Sequence, residues 1–193
     1  GSVNAMDETY CGYIDCNTSR AGYNEAKRVS ESLCQSYMQQ HGVDVVIGRL
    51  ARIFGADRKS DTKAIAQFMR KAVDGEDIVL KSKGNQMFSF CYVADAISGL
   101  LKVLLEGQTG EVYNISADNE AKTLGEYAKL IAGFAGKNII YDLQNDKGAS
   151  KADYALLDCN KLKLIGWNPL YSVSEGLERT FNIQKAIQAN GRI

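Results

Sequence analysis

Histidine, proline and long apolar runs are nearly absent from this sequence. Its 193 residues include one histidine, His41, and one proline, Pro169. A lone histidine at the end of a predicted helix argues against a histidine-based catalytic triad and against a metal centre, so we expect no metal site. No run approaches the roughly 20 apolar residues of a membrane-spanning helix, and no signal peptide is visible. We therefore expect no membrane partner.

Neither sign of charge dominates the chain, and its cysteines follow no metal-binding pattern. The 23 basic and 23 acidic residues give a formal net charge of +0, so bulk electrostatics offer nothing to attract nucleic acid. The cysteine count of 5 is odd, and the spacings fit no zinc site. We expect these cysteines to be reduced and mostly buried, as in a cytoplasmic protein. They are Cys11, Cys16, Cys34, Cys91 and Cys159.

What the sequence does contain is a Tyr-x-x-x-Lys pair, Tyr23 and Lys27, near the start of a predicted helix over 23–40. A separation of four residues is close to one helical turn, so the phenol and the ammonium group lie on one face. A cation beside a phenol favours the phenolate, which makes the pair a candidate general base for an alcohol proton. Taken alone, such a pair is more often an ordinary solvated helix face.

Predicted strands and helices alternate after that helix. Residues 43–48 (VDVVIG) form a β-branched run typical of a buried parallel strand. Further strands are predicted at 78–80, 111–115 and 138–141, and further helices at 62–73, 95–105, 123–134, 160–165 and 173–189. A polar loop is predicted at 144–151. In helix 95–105, we expect Asp95 to cap the start and the following residues to form the buried face: Ile97, Leu100, Leu101, Leu104 and Leu105.

Four stretches in a fixed order carry a family resemblance. The pair is followed by 49–55 (RLARIFG), then 84–95 (GNQMFSFCYVAD), 110–115 (GEVYNI) and 158–169 (DCNKLKLIGWNP). Together these motifs resemble the extended short-chain dehydrogenase/reductases, in their branch of NAD-dependent nucleotide-sugar epimerases and dehydratases. The matches extend over nearly the whole chain.

The resemblance implies an α/β fold with two parts. Residues 6–55 would be a residual, C-terminal part of a Rossmann-type doubly wound domain, comprising the Tyr-Lys helix and the parallel strand after it. Residues 56–193 would be the small α/β lobe that binds a nucleotide sugar. In this family the Tyr-Lys helix also packs in a dimeric four-helix bundle, so we expect a homodimer or another form of self-association.

The resemblance also implies a site. Tyr23 would take a proton from a sugar hydroxyl while hydride passes to NAD, and Lys27 would bind the nicotinamide ribose. Both residues are thus expected to be catalytic and to contact the cofactor. The expected partner is a nucleotide-diphosphate sugar, with Arg52, Gln86 and Asp95 as candidate substrate-binding residues.

Two positions depart from the family pattern in the expected substrate site. Arg52 stands where relatives commonly carry asparagine, and the arginine that contacts nucleotide phosphate in the family falls on Phe88. A phenyl ring cannot pair with a diphosphate. A guanidinium at position 52 could reach a phosphate, because its planar fork matches phosphate oxygens.

Two further family features have no match. The chain contains no Gly-x-x-Gly-x-x-Gly turn for the cofactor pyrophosphate, and no Ser or Thr before Tyr23 stands in the family's catalytic context. We therefore expect a truncated chain that is inactive in isolation. The alternative is a non-catalytic remnant that binds a nucleotide sugar or oligomerises. The sequence does not specify the sugar, nor whether an isomerase or a lyase reaction would follow the initial oxidation.

Overall fold

The computed structural model describes residues 5–19, 21–57, 63–117, 121–143 and 154–191. These ranges hold helices and short strands in alternation. The helices are α1 (Ala21–His41), α2 (Ala64–Val73), α3 (Val93–Glu106), α4 (Leu124–Ala135), α5 (Asn160–Leu164) and α6 (Val173–Ala189). The strands are β1 (Ile47–Leu50), β2 (Arg52–Phe54), β3 (Ile78–Leu80), β4 (Met87–Phe88), β5 (Phe90–Tyr92), β6 (Val112–Ile115), β7 (Lys122–Thr123), β8 (Ile139–Tyr141) and β9 (Tyr154–Ala155).

Parallel pairing dominates the strands. β1 pairs with β6, β2 with β5 and β3 with β8, each in parallel, whereas β4 lies between antiparallel β7 and parallel β9. Parallel neighbours need a crossover connection, and helices lie in the chain between the paired strands: α2 between β2 and β5, and α2 and α3 between β1 and β6. This arrangement is the predicted α/β class. The predicted boundary after residue 55 stays a prediction, although β6 lies beyond it and pairs with β1.

Two apolar cores lie on either side of β5 and α3. The larger one is formed by α2, α4 and α6 around β3 and β5, with Phe68, Tyr127 and Leu177 among its buried side chains. The smaller one joins α3, α5 and β6 through Val103, Ile115 and Trp167. The Trp167 indole N–H donates to the Ser98 hydroxyl oxygen at 3.0 Å, so its polar atom is satisfied.

The predicted buried face of α3 is wrong. Its large residues point outward, with Leu104 67% and Leu105 77% exposed, and Ala96, Gly99 and Val103 are buried instead. The cause is the close approach of helix and strand, because a Cβ on Gly99 would lie 2.6 Å from Cγ2 of Ile115. Small residues are therefore needed on the sheet side. The predicted cap also differs, since Tyr92 is the N-cap and Asp95 lies within the first turn.

The other predicted elements agree more closely with the structure. α6 begins at Val173 and ends at Ala189 as predicted, and Thr123 forms the predicted capping box with Glu126. The strand predicted at 43–48 is found at Ile47–Leu50. The loop predicted at 144–151 lies outside the described residues.

The cysteines are less buried than expected. All five are free thiols, but Cys91 and Cys159 alone are buried, Cys34 is half-buried, and Cys11 and Cys16 are exposed. No helix in the described part of the chain is both long and apolar enough to cross a membrane.

Two helical glycines allow a matched test of the α3 packing. Gly99→Ala should destabilise the protein by ~1–3 kcal/mol, because the new methyl group overpacks the contact with β6. Gly133→Ala should stabilise it by ~0.5–1 kcal/mol, because a Cβ on Gly133 in α4 would meet no atom within 4 Å and alanine favours helix. Urea unfolding measures both changes. Equal effects of the two substitutions would contradict this packing.

Candidate functional site

A large cleft opens where the carboxyl ends of β1 and β2 meet α1 and α2. Every residue from 47 to 57 lines it, as do parts of α1, α2, β4 and α6. Its volume is about 1510 Å³, larger than the ~300–1,000 Å³ of a drug-sized ligand pocket. Ligands of parallel α/β proteins bind at this end of the strands, so the cleft is the candidate site.

Tyr23 and Lys27 line the cleft from the first turns of α1. The Lys27 Nζ lies 5.8 Å from the centroid of the Tyr23 ring, as the predicted shared helix face requires. Tyr23 is 72% exposed, so its hydroxyl is free to meet a bound molecule. The structure therefore places this predicted pair together at the cleft.

An ion pair fixes α1 over β1. The Arg49 guanidinium donates to both carboxylate oxygens of Glu31, through Nε at 2.8 Å and Nη2 at 2.7 Å, and Nη1 donates to the Glu8 carbonyl oxygen at 2.9 Å. These hydrogen bonds raise the pKa of Arg49. α1 has few other anchors, because Ala21 is its one buried residue.

Arg52 and Gln86 line another wall of the same cleft. The guanidinium carbon of Arg52 lies 3.8 Å from the centroid of the Phe88 ring. The side-chain oxygen of Gln86 is buried and has no hydrogen-bond partner within the described residues. A buried polar atom without a partner costs roughly 1–3 kcal/mol, so this atom is suited to accept a hydrogen bond from a ligand.

The structure does not bring Asp95 to the cleft. Its side chain is 0% exposed and accepts a hydrogen bond from the Leu170 backbone N–H at 2.6 Å, so it ties α3 to the loop before α6. Burial raises the pKa of Asp95, and the backbone N–H groups of Leu170 and Tyr171 offset this only in part. Burial, with the nearby Asp95 charge, also raises the pKa of Cys91 to about 12.

The sequence analysis did not single out Gln184, which lines the cleft from α6. Gln184 is 7% exposed, its Nε2 donates to the Asp57 carbonyl oxygen at 3.4 Å, and its Oε1 has no partner in the described ranges. The sequence could have predicted the burial of Gln184 from its helical spacing, because it shares a face of α6 with the buried residues Leu177 and Phe181. The Oε1 of Gln184 is therefore suited to accept a hydrogen bond from a ligand in the cleft.

The described residues offer no glycine cradle for a pyrophosphate. Their glycines with positive φ follow helices or occupy loops, and none lies between a parallel strand and the start of a helix. Nor do three His, Cys, Asp or Glu side chains converge as metal ligands in the part of the chain that the structure covers.

Comparison with known proteins gives first the class and then the family. The chain superposes on the solved UDP-glucose 4-epimerase of Thermotoga maritima, determined with UDP-glucose, with a TM-score of 0.81 and 25% identity over 97% of this chain and 59% of that one. A dTDP-glucose 4,6-dehydratase of Bacillus anthracis in complex with NAD gives a TM-score of 0.75 at 23% identity, over 92% of this chain and 58% of that one. These matches confirm a Rossmann-type α/β fold.

A sequence model of the NAD dependent epimerase/dehydratase family matches residues 1–116, more than half of the chain. The chain belongs to this family, which confirms the predicted resemblance. UDP-glucuronic acid decarboxylase 1 of Xenopus tropicalis is 30% identical over 186 residues, covering 93% of this chain and 42% of that protein. The chain spans about half the length of the curated relatives it matches, between 42% and 59%.

Replacing the buried carboxylate tests the positioning role of Asp95. Because the folded-state pKa of Asp95 is raised, the folded protein holds the proton more tightly, so the stability it contributes is present at low pH and is lost as pH rises. The free energy of unfolding of the wild type minus that of Asp95→Asn should therefore fall as the pH rises through the range above about pH 4, the ordinary pKa of an aspartate. Urea titrations across that range measure it. A difference that is flat or rises with pH would contradict this assignment.

Proposed function

We propose that this chain carries the Tyr-Lys pair and the substrate-binding cleft of an NAD-dependent nucleotide-sugar epimerase or dehydratase, and that it binds the nucleotide sugar itself. The observation that carries the proposal is a single cleft lined by Tyr23, Lys27, Arg52 and Gln86. The first two residues come from α1, Arg52 begins β2, and Gln86 directly precedes β4, so the fold joins three separate motifs. Relatives named for UDP-glucose and UDP-glucuronic acid chemistry support the choice of ligand.

In this proposal Tyr23 is the general base. Its exposed phenolic oxygen would accept the proton of a sugar hydroxyl, and the ammonium group of Lys27 lies beside it on the same helix face. NAD, when bound, accepts the hydride of the oxidised carbon. Lys27 and Tyr23 would hold the nicotinamide ribose, and no described residue is assigned to the cofactor pyrophosphate. Gln86 would receive a hydrogen bond from the substrate.

The domain division and location follow from the same proposal. Residues 6–55 would belong to the dinucleotide-binding part and 56–193 to the substrate lobe. The chain would act in the cytoplasm, where its five free thiols remain reduced. Asp95, proposed from the sequence as a substrate-binding residue, would act by positioning, since its carboxylate binds the Leu170 backbone N–H.

Separate calorimetric titrations with UDP-glucose and with NAD⁺ test the proposal. UDP-glucose should bind at one site, because the cleft walls described above are already formed. No heat with UDP-glucose at millimolar concentration would contradict the proposal. Binding of UDP-glucose without NAD⁺ would assign the chain to the sugar-binding alternative rather than to a complete enzyme.

Substitution of Tyr23 tests its catalytic role. Any turnover of UDP-glucose or UDP-glucuronic acid with NAD⁺ should fall by at least ~10²-fold in Tyr23→Phe, because the general base is lost. The circular dichroism spectrum should not change, since the side chain is 72% exposed. Tyr13→Phe is the matched control, because Tyr13 is 91% exposed and does not line the cleft. Equal turnover in both variants would exclude Tyr23 as the base.

An exposed apolar stripe supports self-association as a second property. Val29, Leu33 and Tyr37 follow one another at four-residue spacing on α1 and are 53%, 53% and 56% exposed. Such a stripe is suited to bury against a second helix. We propose that α1 of one copy packs against α1 of another.

The oligomeric state of two variants tests whether the stripe on α1 mediates self-association. Leu33→Glu should shift the chain toward monomer in sedimentation equilibrium, because a carboxylate cannot be buried there without a partner. Leu164→Glu is the matched control, since Leu164 is 88% exposed on α5, away from the stripe. A wild-type chain that is monomeric at high micromolar concentration, or a dimer that Leu33→Glu leaves intact, would refute the proposal.

A further inference from the structure

Arg52 is a cation without an anion in this cleft. Its guanidinium carbon lies 3.8 Å from the centroid of the Phe88 ring, and within the described residues no carboxylate pairs with its guanidinium. Its backbone N–H is used by the strand and donates to the Ser89 carbonyl oxygen at 3.3 Å. The side chain is open to the cleft, yet the surrounding protein displaces enough water to lower the pKa of Arg52.

Arg49 provides the contrast within the same cleft. Its guanidinium donates to two Glu31 oxygens and to the Glu8 carbonyl oxygen, and the hydrogen bonds to Glu31 raise its pKa. These contacts within the protein are a sufficient reason for a charged side chain at position 49. Arg52 has the same chemistry at the start of β2, but none of the residues that the structure describes is recorded as a hydrogen-bond or ion-pair partner of its guanidinium.

The charge of the cleft favours an anion. Although the chain carries a formal net charge of +0, the basic side chains that line the cleft outnumber the acidic ones by five to two. The basic residues are Lys27, Arg49, Arg52, Lys63 and Lys81, and the acidic ones are Glu31 and Asp57. A concave wall with an excess of one sign of charge favours a bound counter-ion.

Stacking on Phe88 holds the Arg52 guanidinium in an orientation that suits phosphate binding. A ring under the guanidinium plane restricts its orientation and leaves its N–H groups at the edge. That edge matches two oxygens of a phosphate, which forms charge-assisted bidentate hydrogen bonds with arginine. An ordinary packing role would need only the aliphatic stem, as in a surface arginine that covers apolar area.

We propose that Arg52, held on Phe88, binds the diphosphate of the nucleotide sugar, with the aromatic ring replacing the arginine that the sequence resemblance places at position 88. The cation is thus supplied from β2 rather than from β4. This inference rests on the proposed function, because it names the phosphate contact of the same site.

Calorimetric titration with UDP tests the assignment. Arg52→Gln should weaken UDP binding roughly 10- to 100-fold, because a charge-assisted bidentate contact is lost. Arg52→Lys should recover only part of the affinity, because a point charge cannot reproduce the fork. Inorganic pyrophosphate should compete with UDP on the wild type and far more weakly on Arg52→Gln.

Arg179→Gln is the matched control. Arg179 also stacks on an aromatic ring, with its guanidinium carbon 4.7 Å from the Tyr171 centroid, but it does not line the cleft. Its loss should leave UDP affinity unchanged. If Arg52→Gln and Arg179→Gln behave alike, or pyrophosphate does not compete, Arg52 is not the phosphate ligand, while binding of UDP-glucose would still uphold the proposed function. If neither UDP nor UDP-glucose binds the wild type, both proposals fall together.

Discussion

The bidentate pair between Arg49 and Glu31 is the contact on which the geometry of the cleft depends. α1 buries little of its own surface, so this pair holds the helix against β1, with Gln35 Nε2 donating to the Gly110 carbonyl oxygen farther along the helix. Both side chains of the ion pair are about a third exposed, so the free energy involved is on the order of 1 kcal/mol. Its importance is positional, because it aims the first turns of α1, with Tyr23 and Lys27, into the cleft.

Two arginines three residues apart perform different tasks at this edge. Arg49 neutralises a carboxylate and fixes a helix, whereas Arg52 rests on Phe88 and lines the cleft. The parallel pairing of β2 with β5 and the adjacent β4 bring residues 52 and 88 together.

Local signals predicted most of the fold, and tertiary contacts decided the rest. The bounds of α6 and the Thr123 capping box follow from helical spacing and capping chemistry, which neighbouring residues alone determine. Local signals do not predict the buried face of α3, because apolar residues occur on both faces of this helix. The close approach to Ile115 selects the face that carries Gly99. Likewise, the Tyr-Lys pair is local, whereas the Arg52 stack and the buried Gln184 depend on packing between distant segments.

A crystal structure of the chain with UDP-glucose tests most directly whether one cleft joins the Tyr-Lys helix to a nucleotide-sugar site. The account predicts the diphosphate within hydrogen-bond distance of the Arg52 guanidinium and the hexose on the side of Tyr23, with Gln86 contacting the ligand. Density for UDP-glucose elsewhere on the chain, or an empty cleft at saturating ligand, would contradict it.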